Sequence, residues 1–388
     1  MENSATVYDK RMSHLVGIGL VLGFLLPHTS TAFLLVNPLL CLLFFCFKSN
    51  RIYYKNNWIV IISLIITLVL NVGSQNVETK SLLRILSLML YFICFPIVGR
   101  VKVPDAIFYF VLFYIVLSQF IYIINIPFLT YFFDTIYPFA EDNNAIIHMR
   151  STIEVDNMTN YRLGGLYRNA NHCARELTML MATYGILNGK IISRKSLFFL
   201  LAAYVAIIFT GSRTGFFIGG FFLIMYVFSN QKVNIGYRII VVLTMVIGFV
   251  NILINGSDMY RGINVIEGFS NSADSKFFTF WDYLSHEKNP IALLFGYLDA
   301  TRFERYDIES MSNFDCDYGA IIFSYGIVGF LSILFFNYSL FKRMDRSGRL
   351  FFLILLWMVS SAIYCSNRAV FNYMFLMSIV YGNTKRVC

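Results

Sequence analysis

Five side chains that could bind an anion or move a proton lie between residues 161 and 176, immediately before an apolar segment. They are Arg162, Arg168, His172, Arg175 and Glu176. Arginine offers a planar fork of donors suited to phosphate, and histidine or glutamate can take a proton near neutral pH. An interfacial cluster that only anchors a helix is the simpler interpretation. The residue types also fit an anion site, with Arg168 and Arg175 on the anion and His172 or Glu176 as the base.

A second candidate is Arg213, within the short run Thr210-Gly211-Ser212-Arg213-Thr214-Gly215 between two apolar segments. A lone arginine near a helix end usually just extends toward the membrane surface. Here the flanking glycines would let the backbone approach a ligand closely. We therefore predict that Arg213 binds the same anion.

A third group of polar residues lies at the end of a long loop. Asp315 and Asp317 form an Asp-x-Asp pair, with Arg302 and Arg305 upstream. Such a pair holds a divalent metal in some enzymes, but three-residue patterns often arise by chance, and no metal or other cofactor is predicted. Carboxylates accept hydrogen bonds from carbohydrate hydroxyls. Asp315 and Asp317 are therefore further candidates for the base. Arg302 and Arg305 are candidates for binding the anion from the loop.

Twelve apolar segments must position these residues, and they are typical of membrane-spanning helices. The segments are 15–26, 31–47, 58–72, 82–98, 106–128, 174–187, 197–209, 216–228, 239–254, 318–340, 350–363 and 370–381. We expect one all-α polytopic membrane domain over residues 1–388. Two long loops, about 129–173 and 256–317, would carry the first and third groups of polar residues.

Basic residues alternate between the connecting segments. Of the 31 Lys and Arg residues, 18 fall in segments on one side of the predicted membrane, together with both termini. Cytoplasmic segments carry such an excess, so both termini are predicted to be cytoplasmic and the two long loops to face outward. The second loop carries eleven acidic and five basic residues.

The composition excludes some functions. A formal charge of +9 would suggest nucleic-acid binding in a soluble protein, but here it is the sum of a basic inner face and an acidic outer loop. No nucleic-acid partner is predicted. The seven cysteines lack the spacing of a metal site. Cys173 and Cys316 lie at outer ends of apolar segments, where a disulfide could join the two loops.

The order of these groups resembles O-antigen polymerases of the Wzy type, which share a superfamily with O-antigen ligases. The resemblance covers residues 161–340. It rests on the Arg/Asn/His-rich stretch at 165–176, the Ser-Arg-Thr-Gly hairpin at 212–215, and a long loop that closes on Asp-x-Asp-Tyr before a Gly-Ile-Val-Gly span. Ligases tend to carry His-Asn near the position of Asp315, so the chain resembles polymerases more than ligases.

The resemblance implies a GT-C-like membrane glycosyltransferase of the bacterial inner membrane that acts in lipopolysaccharide O-antigen biosynthesis. Such an enzyme transfers a growing glycan from its undecaprenyl pyrophosphate carrier onto another lipid-linked repeat unit at the periplasmic face. Arginines would stabilise the leaving pyrophosphate without a metal. Undecaprenyl-pyrophosphate-linked glycans and membrane lipid are then the expected partners, with a chain-length regulator and other O-antigen assembly proteins.

Two alternative functions are an O-antigen ligase and a lipid-linked oligosaccharide flippase. Such transporters also have about a dozen spans, but they are built from repeated halves with charged residues inside the spans. The two halves of this chain look unlike each other, and Arg84 is almost the only charge predicted in the middle of a span. The sequence therefore favours a polymerase.

Overall fold

The structure is a computed structural model, and the expected all-α class is confirmed over the part of the chain that it describes. It describes residues 2–26, 31–47, 56–72, 79–95, 101–124, 126–136, 163–167, 170–188, 193–229, 234–254, 283–285, 289–298, 317–344, 355–358, 363–364 and 367–384. These ranges are helical and contain no β-strand.

The chain divides into two compact units, each made of three stretches of sequence. The first comprises Met1–Phe33, Val101–Gly268 and Arg346–Leu355, and the second comprises Leu34–Arg100, Phe269–Asp345 and Leu356–Cys388. The expectation of a single domain stays a prediction.

In the ranges that the structure describes, the first unit contains seven α-helices and a 3-10 turn at Gly165–Tyr167. The helices are α1 (Glu2–Leu25), α5 (Asp105–Ile124), α6 (Pro127–Ile136), α7 (Ala170–Leu187), α8 (Arg194–Phe209), α9 (Arg213–Ser229) and α10 (Ile235–Ile254). α7 packs against α8 and α9, and α5 packs against α1 and the 3-10 turn. Ser193 caps α8 by accepting a 3.1 Å hydrogen bond from the Ser196 N–H.

The second unit contains α3 (Asn57–Val72), α4 (Thr79–Cys94), α11 (Pro290–Phe295), α12 (Asp317–Arg343) and α13 (Asn367–Thr384), together with most of α2 (Thr31–Phe47). α12 packs against α3 and α11, and α4 against α3 and α13. Asn337 joins α12 to its neighbours, because its side chain donates to the Tyr364 hydroxyl and accepts from the Tyr373 hydroxyl, both over 2.7 Å. Satisfied polar networks of this kind hold a buried core in one arrangement.

α12 is interrupted at Gly326, which has φ 71° and ψ 178°. Only glycine adopts that conformation readily, since a side chain would be strained there. The residues that directly follow α11 fill the interruption. Tyr297 N donates to Phe323 O over 2.8 Å, and Leu298 N donates to Ser324 O over 2.9 Å. Two carbonyl groups that the helix leaves unbonded are thereby satisfied.

Eleven of the twelve predicted apolar segments overlap helices of the structure, with shifted ends. The predicted segment 106–128 is divided, because α5 ends at Ile124 and α6 begins at Pro127. Proline disfavours a helical conformation in the residue before it, which explains the break. Most of the predicted segment 350–363 lies outside the described residues; within it, residues 355–358 form a short 3-10 turn.

One helix in the described ranges is long and apolar enough by itself to cross a membrane, Tyr318–Arg343 within α12. Several helices also expose apolar side chains. On α9, Phe217, Phe221 and Phe228 are each more than 40% exposed, and Ile247 on α10 is 67% exposed. A helix facing water carries polar residues on its outer side, whereas a helix facing lipid carries apolar ones. These features point to a membrane protein.

Candidate functional site

The first and second groups of polar residues predicted from the sequence are in contact within the first unit. Ser212 Oγ donates a hydrogen bond to Asn171 Oδ1 over 2.8 Å. The same hydroxyl accepts a 3.1 Å hydrogen bond from the Gly215 N–H. Ser212 is therefore the N-cap of α9 and also attaches that helix to the first turn of α7.

Close packing between the first turns of α7 and α9 depends on Gly215. A Cβ atom at this position would lie 2.6 Å from the Ala174 Cβ and 3.1 Å from a methyl carbon of Ile207. Side-chain carbons do not approach that closely without displacement of the backbone. The absence of a side chain at Gly215 therefore lets the two helix starts lie side by side.

The turn before α9 is held by its own side chains. Thr210 Oγ1 donates to Ile207 O over 2.6 Å and accepts a 3.1 Å hydrogen bond from Ser212 N. Gly211 has φ 64°, a left-handed conformation that glycine adopts without strain. These contacts fix where Arg213 emerges from the turn.

His172 and Arg213 both lie in the first turns of the joined helices and are both partly exposed. The first N–H groups of a helix lack partners within the helix, and they carry partial positive charge. Two such helix starts beside an arginine form a region of positive potential that suits phosphate. The anion site around Arg213 stays a prediction, and His172 lies in the first turn of the neighbouring helix.

Arg175 and Glu176 form a buried ion pair with each other. The Arg175 Nε and Nη2 donate to Glu176 Oε1 over 3.2 Å and 2.8 Å, and both side chains are 0% exposed. Adjacent helical residues usually face different directions, so this pairing requires the two side chains to turn toward each other. Pyrophosphate binding by Arg175, or proton transfer by Glu176, would require the buried pair to open. Those two roles stay predictions.

Gln119 on α5 joins three parts of the site, and sequence reasoning missed it. Its Nε2 donates to Leu163 O over 3.2 Å and to Ala206 O over 3.1 Å, and it lies 3.5 Å from the Cys173 Sγ. Its Oε1 has no hydrogen-bond partner among the described residues, although the side chain is only 2% exposed. A buried acceptor without a donor costs about 1–3 kcal/mol. Such an atom in a native site calls for an explanation.

The neighbouring Ser118 supports the 3-10 turn that precedes α7. Its hydroxyl accepts a 3.1 Å hydrogen bond from Leu166 N and donates to Ile115 O over 2.6 Å. Gly165, in the left-handed region at φ 53°, lies so near that an added Cβ would be 2.5 Å from Ser118 Oγ. The signal that could have indicated both residues is the polar pair Ser118-Gln119 inside an apolar run.

The other predicted site residues lie elsewhere. Asp317 begins α12, in the second unit. Arg168, Arg302, Arg305 and Asp315 lie outside the described residues, so their predicted roles are untested. The same holds for Cys316 and therefore for the predicted disulfide; its predicted partner Cys173 is buried.

Across the described ranges, no three His, Cys, Asp or Glu residues come together in a way that could hold a metal ion.

Comparisons of the chain with protein-family models and with curated protein sequences found no match.

Proposed function

We propose that the protein is an O-antigen polymerase, a membrane glycosyltransferase that joins undecaprenyl-pyrophosphate-linked oligosaccharide repeat units at the periplasmic face of the bacterial inner membrane. The observation that carries the proposal is the contact between Ser212 and Asn171, 2.8 Å long. It unites two groups of residues that lie about forty positions apart in sequence and that both suit a phosphate ligand. The product would be the polymeric O-antigen of lipopolysaccharide.

The proposal includes a GT-C-like membrane domain with about twelve spans and both termini in the cytoplasm. The exposed apolar side chains of α9 and α10 support it, because helices that face lipid carry such residues. The alternation of basic segments supports the orientation. In this orientation Arg194 begins α8 at the cytoplasmic side, and Arg213 begins α9 at the periplasmic side.

Glycosyl transfer breaks the bond between the anomeric carbon of the donor sugar and a pyrophosphate oxygen, which keeps the bonding electrons. Negative charge therefore grows on the pyrophosphate in the transition state. Arg213 and the N–H groups at the starts of α7 and α9 would stabilise that charge. Because the starts of α7 and α9 are joined through Ser212 before substrate binds, their N–H groups need little reorganisation.

The acceptor hydroxyl bonds to the anomeric carbon and gives its proton to a base. His172 is the described candidate that is both partly exposed and next to the joined helix starts. Glu176 is held by Arg175 in a fully buried pair. We therefore assign the base to His172 in preference to Glu176, while Asp315 and Asp317 stay candidates predicted from the sequence.

The interruption of α12 is the one observation that favours a transporter, because broken helices line the substrate sites of many transporters. At Gly326, however, a Cβ atom would overlap the Leu294 carbonyl group. The end of α11 therefore occupies this space. The interruption serves helix packing, and the polymerase is the better supported function.

A lipopolysaccharide gel of the host strain, with the gene deleted and then restored, tests the proposal. Loss of the long ladder with one repeat unit still attached to the core would support a polymerase, because flipping and ligation both continue. A bare core with lipid-linked polymer accumulating outside would indicate a ligase instead. A bare core with single units retained in the cytoplasm would indicate a flippase, and an unchanged ladder would refute all three functions.

A further inference from the structure

The side-chain amide of Gln119 has only one orientation that suits its surroundings. Its Nε2 faces the Leu163 and Ala206 carbonyl oxygens at 3.2 Å and 3.1 Å. Both of these carbonyl oxygens can accept a hydrogen bond, and neither can donate one. Exchanging the nitrogen and oxygen would place three acceptors together, so the nitrogen must occupy this position. The Oε1 is therefore on the branch of the planar amide group that does not face these two carbonyls.

That oxygen is an acceptor for which the described residues supply no donor. The side chain is 2% exposed, so bulk water does not reach it freely. Gln119 also contacts Cys173, the residue after His172 in the first turn of α7. The amide nitrogen of Gln119 therefore lies against the first turn of α7, which carries the proposed base, and the unmatched oxygen belongs to the same amide group.

We propose that Gln119 Oε1 accepts a hydrogen bond from a hydroxyl group of the bound glycan and so selects the sugar. This inference rests on the proposed function. An amide carbonyl carries a partial negative charge, so it attracts a hydroxyl and disfavours pyrophosphate. Gln119 and Arg213 then divide the substrate between them, with the neutral acceptor on the sugar and the cation on the phosphate.

The same chemistry could come from a buried water molecule, which is a common partner for polar groups inside proteins. Water and a sugar hydroxyl make opposite predictions for ligand binding. A water molecule would hold the amide whether or not substrate is present. A sugar hydroxyl makes the Oε1 atom part of the affinity for the glycan alone.

The test measures binding of two probes to the purified full-length protein in detergent. One probe is the free oligosaccharide repeat unit, released by mild acid from its undecaprenyl pyrophosphate carrier, and the other is inorganic pyrophosphate. The variants are Gln119→Met, which keeps the length of the side chain, and Gln119→Asn, which keeps an amide but withdraws it by one methylene. Thr183→Val is the control, since Thr183 is buried in α7 and its hydroxyl is satisfied by Met179 O at 2.8 Å.

We expect both Gln119 variants to bind the oligosaccharide about tenfold more weakly than the wild type, the loss of roughly one hydrogen bond. Their pyrophosphate affinity should stay within about twofold, and Thr183→Val should bind both probes normally. Unchanged oligosaccharide binding would overturn the inference and leave water as the partner. Equal loss of both probes would also overturn it, because Gln119 would then act only through the fold. A wild-type protein that binds neither probe would refute the proposed function itself.

Discussion

Breaking the buried ion pair of α7 should destabilise the protein more than removing the pair altogether. Arg175 and Glu176 are both 0% exposed and are joined by contacts of 2.8 Å and 3.2 Å. Arg175→Met leaves the Glu176 carboxylate in an apolar interior, and Glu176→Met leaves the guanidinium there. Removal of one partner of such a pair costs about 3–5 kcal/mol. Replacement of both partners by apolar residues is often neutral, or stabilising by about 1–4 kcal/mol.

The two single variants and the double variant therefore form a double-mutant cycle. We expect each single variant to lose about 3–5 kcal/mol and the double variant to return to the wild-type free energy of unfolding or above it. The measurement is equilibrium unfolding of the detergent-solubilised protein by added dodecyl sulfate, followed by far-ultraviolet circular dichroism, which reports on the helices of both units. The same three variants are then examined for the lipopolysaccharide ladder in the host.

Additive losses in the double variant would refute the argument, because the two side chains would then not interact. The ladder separates a structural role from a catalytic one. Since neither side chain is accessible, we expect the double variant to keep the ladder. A stable double variant without polymer would instead show that Arg175 or Glu176 takes part in the reaction, as the sequence predicts.

Two further predictions concern the helix contacts. Gly326→Ala should lower the free energy of unfolding by about 1–3 kcal/mol from backbone strain alone. A further loss is expected because the added Cβ would overlap the Leu294 carbonyl group. Gly236→Ala is the control and should cost nothing in the same unfolding assay, since its Cβ would have no neighbour nearer than 3.6 Å. Ser212→Ala and Ser193→Ala each remove a helix N-cap and should cost about 1 kcal/mol. Only Ser212→Ala should shorten the ladder, since Ser212 also binds Asn171; equal ladders would contradict the role of that contact.

Hydrophobic patterning predicts most of the helices well, and its largest error in a helix start is at α1. α1 begins at Glu2, whereas the apolar segment begins at residue 15, because polar residues can extend a helix beyond the part that hydropathy detects. α12 begins at Asp317, close to its prediction at residue 318. The break between α5 and α6 follows from Pro127, which interrupts a run that is otherwise uniformly apolar.

The residue types of the site could be predicted, but their contacts could not. Arg213 and His172 stand out because their side chains could bind an anion or move a proton and because they lie next to apolar segments. The hydrogen bond between Ser212 and Asn171 depends on how α7 and α9 pack, which periodicity does not determine. Gln119 is a single amide in an apolar run, and its role depends on the Leu163 and Ala206 carbonyls that the fold brings to it.

The most direct test of the account compares two arginines that occupy equivalent places in consecutive helices. Arg213 is the first residue of α9 and follows Ser212, whereas Arg194 is the first residue of α8 and follows Ser193. Arg213→Ala and Arg194→Ala are each expressed at normal level in the host strain lacking the gene, and the lipopolysaccharide is examined on a gel. We predict that Arg213→Ala leaves core with a single repeat unit, while Arg194→Ala restores the full ladder. Full-length polymer from Arg213→Ala would contradict the account.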